Sequence, residues 1–369
     1  MLLRLIQDGE SPISPPLLAG GQEAGRKEMR FPRLRTLFLA LAALALFTGA
    51  ALYGVHADYR RFLDTPLDVP ADGLVLDVKP GMGVGAIARE LRRQPGLLRP
   101  TFYLEIYARL NGLAPRLKTG EYALAPGTTP RDLLERIAAG RVIQYPLTVV
   151  EGWTFHQLRQ ALAAHPKIAQ TLREASDTEI MTQLGRPGQH PEGWFFPDTY
   201  HFPAGFTDEA FLRRALVAME RRLTRAWSQR AADLPLDNPY QALILASIIE
   251  KESGLAAERP AIAGVFARRL REGMLLQTDP TVIYGLGAAF DGNLRRRDLA
   301  ADTPYNTYTR KGLPPTPIAL PGADALAAAV RPADGDALYF VADGEGGHVF
   351  SKTLDEHNRA VRRYQLRER

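Results

Sequence analysis

The sequence predicts an α+β protein in three parts: an N-terminal transmembrane helix, a small α/β subdomain, and a larger mixed domain of helices with a small sheet. Three observations predict it. A long uncharged run lies near the N-terminus. Short alternating segments interleaved with amphipathic helices follow it. One helix, punctuated at both ends, stands at the centre of the C-terminal half.

Residues 1 to about 30 are rich in Pro, Gly and polar side chains without sustained periodicity, which predicts a disordered cytoplasmic tail over 1–35. Met29 offers an alternative start just before Arg30-Phe-Pro-Arg-Leu-Arg35. Residues 36–57 carry no formal charge and are mostly Leu, Ala and Phe. At about 1.5 Å per residue they just cross a hydrocarbon core of roughly 30 Å. Arg26, Lys27, Arg30, Arg33 and Arg35 precede the run, so the positive-inside rule puts the N-terminus in the cytoplasm and the body outside. A cleaved signal peptide ending at Val55-His-Ala57 is the rival reading, and it exports the body equally.

After a short polar link, Leu74-Val-Leu-Asp-Val78 alternates as a strand does, and a helix through Ile87 and Leu91 follows. A second helix, from Pro100 towards Asn111, sets Phe102, Ile106 and Leu110 on one side. Gly120-Glu-Tyr-Ala-Leu124 reads as a returning strand, and Pro126-Gly-Thr-Thr-Pro130 introduces a helix through Leu133, Leu134 and Ile137. The unit spans 74–145. Its strand-turn-helix rhythm recurs at Val78-Lys-Pro-Gly81, Leu124-Ala-Pro-Gly127 and Val150-Glu-Gly152, too unevenly spaced for a solenoid.

The larger domain is expected over 146–360, with a charged tail over 361–369. Glu192-Gly-Trp-Phe-Phe-Pro-Asp-Thr-Tyr200 concentrates aromatics; Trp194 and Tyr200 are read either as sugar-stacking faces or as core, Phe195 and Phe196 as core. A charged scaffold helix runs from about Asp208 to Gln229. The central helix runs from Asn238 to Gly254: Asn238 suits the N-cap, Pro239 the first turn, Gln241 the capping box and Gly254 a left-handed stop. A further helix over 257–272 buries Ile262, Val265, Phe266 and Leu270. Leu338–Ala342 and His348–Phe350 form a closing hairpin.

The central helix holds the candidate chemistry. With residues about 100° apart, Leu245, Ile248 and Ile249 make an apolar stripe, Glu252 falls in its middle, and Glu250 points the other way, near Ser247 and Leu243. A carboxylate on an apolar face is either wet at a frayed helix end or dehydrated, and dehydration raises its pKa and keeps the proton a general acid needs.

Three stretches in combination bear on these readings: Ile248-Ile-Glu-Lys-Glu-Ser253, Arg268-Arg-Leu-Arg-Glu-Gly-Met-Leu-Leu-Gln-Thr-Asp-Pro-Thr-Val-Ile-Tyr-Gly285, and Pro304-Tyr-Asn-Thr-Tyr308. Together they resemble the YceG-like endolytic murein transglycosylases (MltG-type) over roughly residues 74–360. The resemblance implies that Glu252 is the catalytic acid/base and that the unit over 74–145 is a LysM-like subdomain, read as glycan-binding or as a ligand-free docking domain. It implies cleavage of the MurNAc–GlcNAc bond within nascent peptidoglycan by attack of the substrate's own C6 hydroxyl, leaving 1,6-anhydro-MurNAc ends and terminating glycan elongation. It also implies a single-pass inner-membrane enzyme with a periplasmic catalytic domain, working beside peptidoglycan synthases (penicillin-binding proteins), with no cofactor or metal. Gln277, Thr278, Asp279, Tyr284, Tyr305, Asn306, Tyr308 and Trp194 are the candidates for substrate binding, Gln277 and Asp279 first. Each has a plainer reading as a turn, cap or packed ring.

Composition narrows the alternatives. Net charge is +5 and Lys and Arg are scattered, which argues against nucleic acid as a partner. The absence of cysteine excludes disulfides, thiolate metal sites and a cysteine nucleophile. No phosphate loop or His-Glu-x-x-His zinc motif occurs, and Asp343, His348 and His357 are a remote metal set. Two rivals remain: a non-catalytic peptidoglycan-binding scaffold, which has no need of Glu252, and a hydrolysing muramidase, in which Asp279 activates water.

Overall fold

The computed structural model describes residues 32–93 and 102–365. Residues 1–31 of the tail expected to be disordered over 1–35, the start of the helix expected from Pro100, and residues 366–369 lie outside them; residues 32–35 belong to a helix instead. The chain divides into two units, residues 1–62 and 63–369. The described part of the first lies in helix α1 (Pro32–Asp64), whose stretch from Leu34 is long and apolar enough to cross a membrane.

Among the described residues, two hydrophobic cores organise the second unit. The first is built on β1 (Leu74–Val78), α2 (Val84–Arg93), α3 (Phe102–Leu110), β2 (Gly120–Leu124) and α4 (Pro130–Ala139). β1 and β2 pair antiparallel, Leu76 opposite Tyr122. Alternation turns Leu76, Val78, Tyr122 and Leu124 inward against Ile87, Leu91, Leu133 and Ile137. Helix α3 docks by the face opposite the row of Phe102, Ile106 and Leu110. It buries Tyr103, Leu104, Tyr107 and Ala108, while Phe102, Ile106 and Leu110 are exposed. Tyr107 carries the reason: its ring lies in the packing while its hydroxyl donates to Glu135 of α4 at 2.6 Å, so the face with amphipathic rings docks and the one without polar atoms does not.

The second core begins with β3 (Tyr145–Thr148), which pairs antiparallel with a strand far ahead, so the junction between the cores falls just before Tyr145. It continues through α5 (Phe155–Ala164), β4 (Ile168–Ala169), α6 (Asp177–Gln183), β5 (Thr199–Phe202), β6 (Phe206–Thr207), α7 (Asp208–Ser228), α8 (Pro239–Glu252) and α9 (Arg259–Arg271). It closes with α10 (Asp279–Leu286), α11 (Arg296–Ala300), α12 (Ala323–Val330), the antiparallel pair β7 (Tyr339–Ala342) and β8 (His348–Ser351), and α13 (Leu354–Tyr364). β3 takes β5 as partner and β4 pairs in parallel with β6. Glu121 of β2 crosses the junction, accepting from the Tyr145 hydroxyl and from Lys167 Nζ at 2.7 Å.

The recurrent turns share one cause. Gly81, Gly127 and Gly152 all take left-handed φ, near +80 to +90°, a conformation glycine reaches without Cβ strain. At the second and third, Thr129 and Thr154 then close capping boxes that start α4 and α5.

Helix α8 is the axis of the larger core. Every residue from Ala242 to Ile249 is buried, with α12, α7, α9 and α10 packed around it. Its start and stop differ in detail from the sequence reading. Asn238 caps the Gln241 N–H at 3.1 Å, but the Gln241 side chain reaches Asp237 and leaves the Asn238 N–H alone, so the box is half made. Gly254 is not left-handed; the helix ends where Ser253 turns extended. Ser247, wholly buried, donates to Ile244 O at 2.7 Å and accepts from Ile318 N at 3.0 Å, tying the Pro-rich strap over 312–322 to the helix. Gly193, with φ +84°, lets the aromatic stretch lie against that strap: a Cβ there would sit 2.6 Å from Pro317. Gly193→Ala is therefore expected to lower stability by about 2–3 kcal/mol, combining left-handed strain with overpacking, measured as the shift in urea midpoint at unchanged slope.

Candidate active site

Three chain segments meet at the end of α8: the turn into α10, the turn over 305–308, and the hairpin β7–β8 with its supporting arginine. Glu252 is the last helical residue. Its Oε1 accepts a hydrogen bond from Thr278 Oγ1. The residue keeps a partial opening to solvent, yet burial governs its carboxyl group. Burial pushes the pKa up to about 7, aided by the nearby Asp279 charge and opposed by the Thr278 hydroxyl, His348 and Arg269. Of the two readings of the helix end, the structure gives the dehydrated one.

Glu250 is dehydrated too, which the helical wheel did not indicate, because α8 is enclosed on every side. Its carboxylate pairs with Arg259 at 2.7 Å and accepts from the Gly322 N–H at 2.8 Å. Burial raises its pKa, with the Gly322 bond and the Arg259 charge pulling it down. Glu250 is thus committed to an ion pair joining α8, α9 and the strap, whereas Glu252 has a neutral hydroxyl as partner and its proton free for transfer.

The turn into α10 presents Thr278 through a small network. Thr278, Thr281 and Thr307 are at most 2% exposed. Thr307 Oγ1 accepts from the Thr278 N–H at 3.0 Å and lies 2.9 Å from Thr281 Oγ1. Gln277 is the one non-glycine residue with positive φ among the described residues, at 52°, and its N–H donates to Thr307 O at 3.1 Å. Backbone held in that region at a candidate site is a sign of preorganisation. Asp279, exposed at the start of α10, accepts from the Tyr308 hydroxyl at 2.5 Å.

The structure thus brings Gln277, Thr278, Asp279 and Tyr308 together around Glu252. Asn306 stands behind them. It is 1% exposed, its amide donates to the carbonyls of Asp298, Leu299 and Ala301, and its Oδ1 accepts from the Tyr308 N–H at 2.8 Å. That is a place for holding Tyr308 rather than for meeting a ligand. Trp194 lies elsewhere: it is 6% exposed, stacked on Tyr240 at 5.8 Å, with Arg186 over its ring at 5.5 Å, and Tyr200 is equally buried. The aromatic stretch is core, because Gly193 folds it against α8 and the strap.

Tyr284 and Tyr305 line a cavity of about 970 Å³ whose wall also includes Lys251 and Pro280, the chain neighbours of Glu252 and Asp279. Here lies a group that sequence reasoning missed. Glu192, 3% exposed, accepts from the Phe155 N–H at 2.9 Å and from the Tyr284 hydroxyl at 3.1 Å. Burial pushes its carboxyl up to about 7, against those hydrogen bonds. No local pattern marks it, since its partners are 37 and 92 residues away. Arg269 was missed for the same reason, and His348 was read only as part of a remote metal set. Arg269, 7% exposed, donates to the carbonyls of Leu276 and Leu338 at 2.8 and 2.7 Å, fastening the turn before Gln277 to the hairpin. His348 is held by Glu258, which receives its Nδ1 at 2.7 Å and its backbone N–H at 2.9 Å.

Glu252, poised near neutrality beside the Thr278 hydroxyl and the exposed Asp279, with an open cavity alongside, makes a candidate acid/base site. The comparisons with known proteins agree with the motifs. The YceG-like family profile matches residues 76–363, and the chain belongs to that family. It is 32% identical over 334 residues to the endolytic murein transglycosylase of Bacillus subtilis (strain 168), covering 86% of this chain and 90% of that protein. It is 27% identical to the endolytic murein transglycosylase of Streptococcus pneumoniae (serotype 2), covering 87% of this chain and 63% of that longer protein. In crystal structure it is similar to a YceG-like protein from Listeria monocytogenes, with TM-score 0.50 and 26% identity over 79% of this chain and 99% of the other.

A stability test isolates Glu252. A carboxyl whose pKa is higher folded than unfolded binds its proton more tightly in the native state, so the native state loses stability as pH rises from the ordinary 4.5 towards about 7. Glu252→Gln removes that loss while keeping an acceptor for Thr278. The variant is expected to match the wild type near pH 4.5 and to exceed it at pH 8 by on the order of 2 kcal/mol, measured as urea denaturation across pH.

Proposed function

We propose that the chain is an endolytic murein transglycosylase that cleaves the MurNAc–GlcNAc bond within peptidoglycan strands, with Glu252 as its acid/base. The observation that carries this reading is the dehydrated Glu252 carboxyl, hydrogen-bonded by a neutral hydroxyl and raised to about 7. Such a group is protonated in a large fraction of molecules at neutral pH and is a competent base once it has given the proton away.

Cleavage begins as the Glu252 proton moves to the glycosidic oxygen while the C1–O bond breaks and positive charge gathers on the muramyl ring. The departing GlcNAc takes the oxygen and the proton. The C6 hydroxyl of the same muramyl unit then attacks C1, and Glu252, now a carboxylate, takes the hydroxyl proton. The product carries a 1,6-anhydro ring, no water is consumed, and the enzyme returns to its starting state. The Thr278 hydroxyl stabilises the carboxylate stage. Gln277 and Asp279, both exposed beside Glu252, are assigned to the sugar's N-acetyl and hydroxyl groups. Tyr308 occupies Asp279 Oδ1, which supports a positioning role for that carboxylate over activation of water.

In this reading α1 anchors the chain through residues 36–57 with the N-terminus in the cytoplasm. The body acts outside the membrane on nascent strands, beside the penicillin-binding proteins that polymerise them, and ends their elongation.

Mass spectrometry of products from peptidoglycan strands tests the chemistry. Wild type is expected to give 1,6-anhydro-MurNAc ends, and Glu252→Gln to lower the rate by at least about a hundredfold. Ends one water heavier mean a muramidase and move attention to Asp279; anhydro ends that persist in the variant remove Glu252 from its role. On the same substrate kcat/KM is expected to fall as pH rises above about 7, because deprotonation disarms the acid.

A further inference from the structure

The cavity beside Glu252 has a charge balance that cleavage of a neutral glycan does not use. Apart from the two tyrosines, five titratable side chains line it: His156, Asp177, His190, Glu192 and Lys251. Four are accounted for. Asp177 is paired with Arg159 at 3.0 Å. His156 Nε2 lies 2.9 Å from Gln160 Nε2. Burial lowers the pKa of His190, which keeps its imidazole neutral, and its Nδ1 accepts from the Glu192 N–H at 3.2 Å. Glu192 has both oxygens occupied by Phe155 and Tyr284, and burial holds its charge back. Lys251 differs. Among the described residues it forms no ion pair, and its Nζ reaches only the Gly152 carbonyl, at 3.4 Å.

A cavity with one uncompensated cation at its rim and apolar surface from Ile283, Tyr284, Tyr305 and Ile318 suits an anionic ligand with small apolar parts. Resting on the transglycosylase reading, the substrate has one such component. The N-acetyl sugars are uncharged, and the carboxylates belong to the peptide stems joined through the lactyl ether at C3 of each muramyl unit. C3 is two ring atoms from C1, so when Glu252 addresses the C1–O bond the stem leaves the sugar close by. Lys251 and Glu252 are consecutive, with Cα atoms about 3.8 Å apart and side chains diverging by about 100° around α8.

We infer that this cavity is a subsite for the peptide stem of the muramyl unit being cleaved, with the Lys251 ammonium pairing a stem carboxylate and the wall of Ile283, Tyr284 and Tyr305 packing its small side chains. The site reads two features of one sugar, the bond at C1 and the substituent at C3. Strands stripped of stems then bind without the second contact.

The test compares uncrosslinked strands with intact stems and the same strands stripped by an N-acetylmuramoyl-L-alanine amidase and then capped as methylamides at the lactyl carboxylates that stripping frees, using the full-length chain in detergent. Wild type is expected to cleave intact strands with a KM about tenfold lower, the scale of one hydrogen bond to a charged group. Lys251→Met is expected to erase most of that difference by raising KM on intact strands while kcat holds, and Lys251→Arg to restore it. Equal KM values for both strands with wild type, or a preference that survives in Lys251→Met, overturns the subsite while leaving the transglycosylase reading in place. No cleavage of either strand by wild type overturns that reading and removes the ground for the subsite.

Discussion

A carboxyl group keeps its proton at neutral pH only where water is kept from solvating the charged form, and α8 supplies that condition. The helix is enclosed by α7, α9, α10 and α12 along its whole middle, so its last turn emerges from dry core directly into the site. Glu252 therefore inherits its environment from the packing of Leu245, Ile248 and Ile249 rather than from a dedicated charged partner. The rest of the larger core follows from the same enclosure. The strap over 312–322 is fastened to Ser247, the aromatic stretch is pressed against Leu243 through Gly193, and the Arg259–Glu250 pair closes the far side.

Two carboxylates two residues apart on one helix have been given opposite duties by their partners. Glu250 meets a guanidinium and a backbone N–H, both of which favour its charge, and serves as a fastening. Glu252 meets a threonine hydroxyl, with Arg269 and His348 acting on it only through space. The difference is one of hydrogen-bonding chemistry more than of burial, since both are dehydrated.

Much of this was legible in the sequence. The turns that introduce α4 and α5, the strand alternation around Leu76 and Tyr122 and the central helix with Glu252 in its last turn are local patterns, each set by residues within a few positions of one another. The misses are of the opposite kind. Glu192 meets Tyr284, Arg269 meets Leu338, and His348 meets Glu258 across separations that no periodicity encodes. Helix α3 shows the limit on faces: two stripes were apolar enough to dock, and the hydroxyl of Tyr107 meeting Glu135 marks the one that did. Trp194 shows the limit on aromatics, whose burial depended on a glycine beside them and a proline more than a hundred residues later.

The backbone at Gln277 leads to one more conclusion. A side-chain-bearing residue in left-handed geometry costs roughly 1 kcal/mol, and it does so in every folded molecule, occupied or empty. In exchange the Thr278 hydroxyl already rests on Glu252 before any sugar arrives. A glycan strand meets a finished corner there, and none of its binding energy is diverted into assembling one. Readiness of that kind shortens the time between encounter with a glycan strand and its cut.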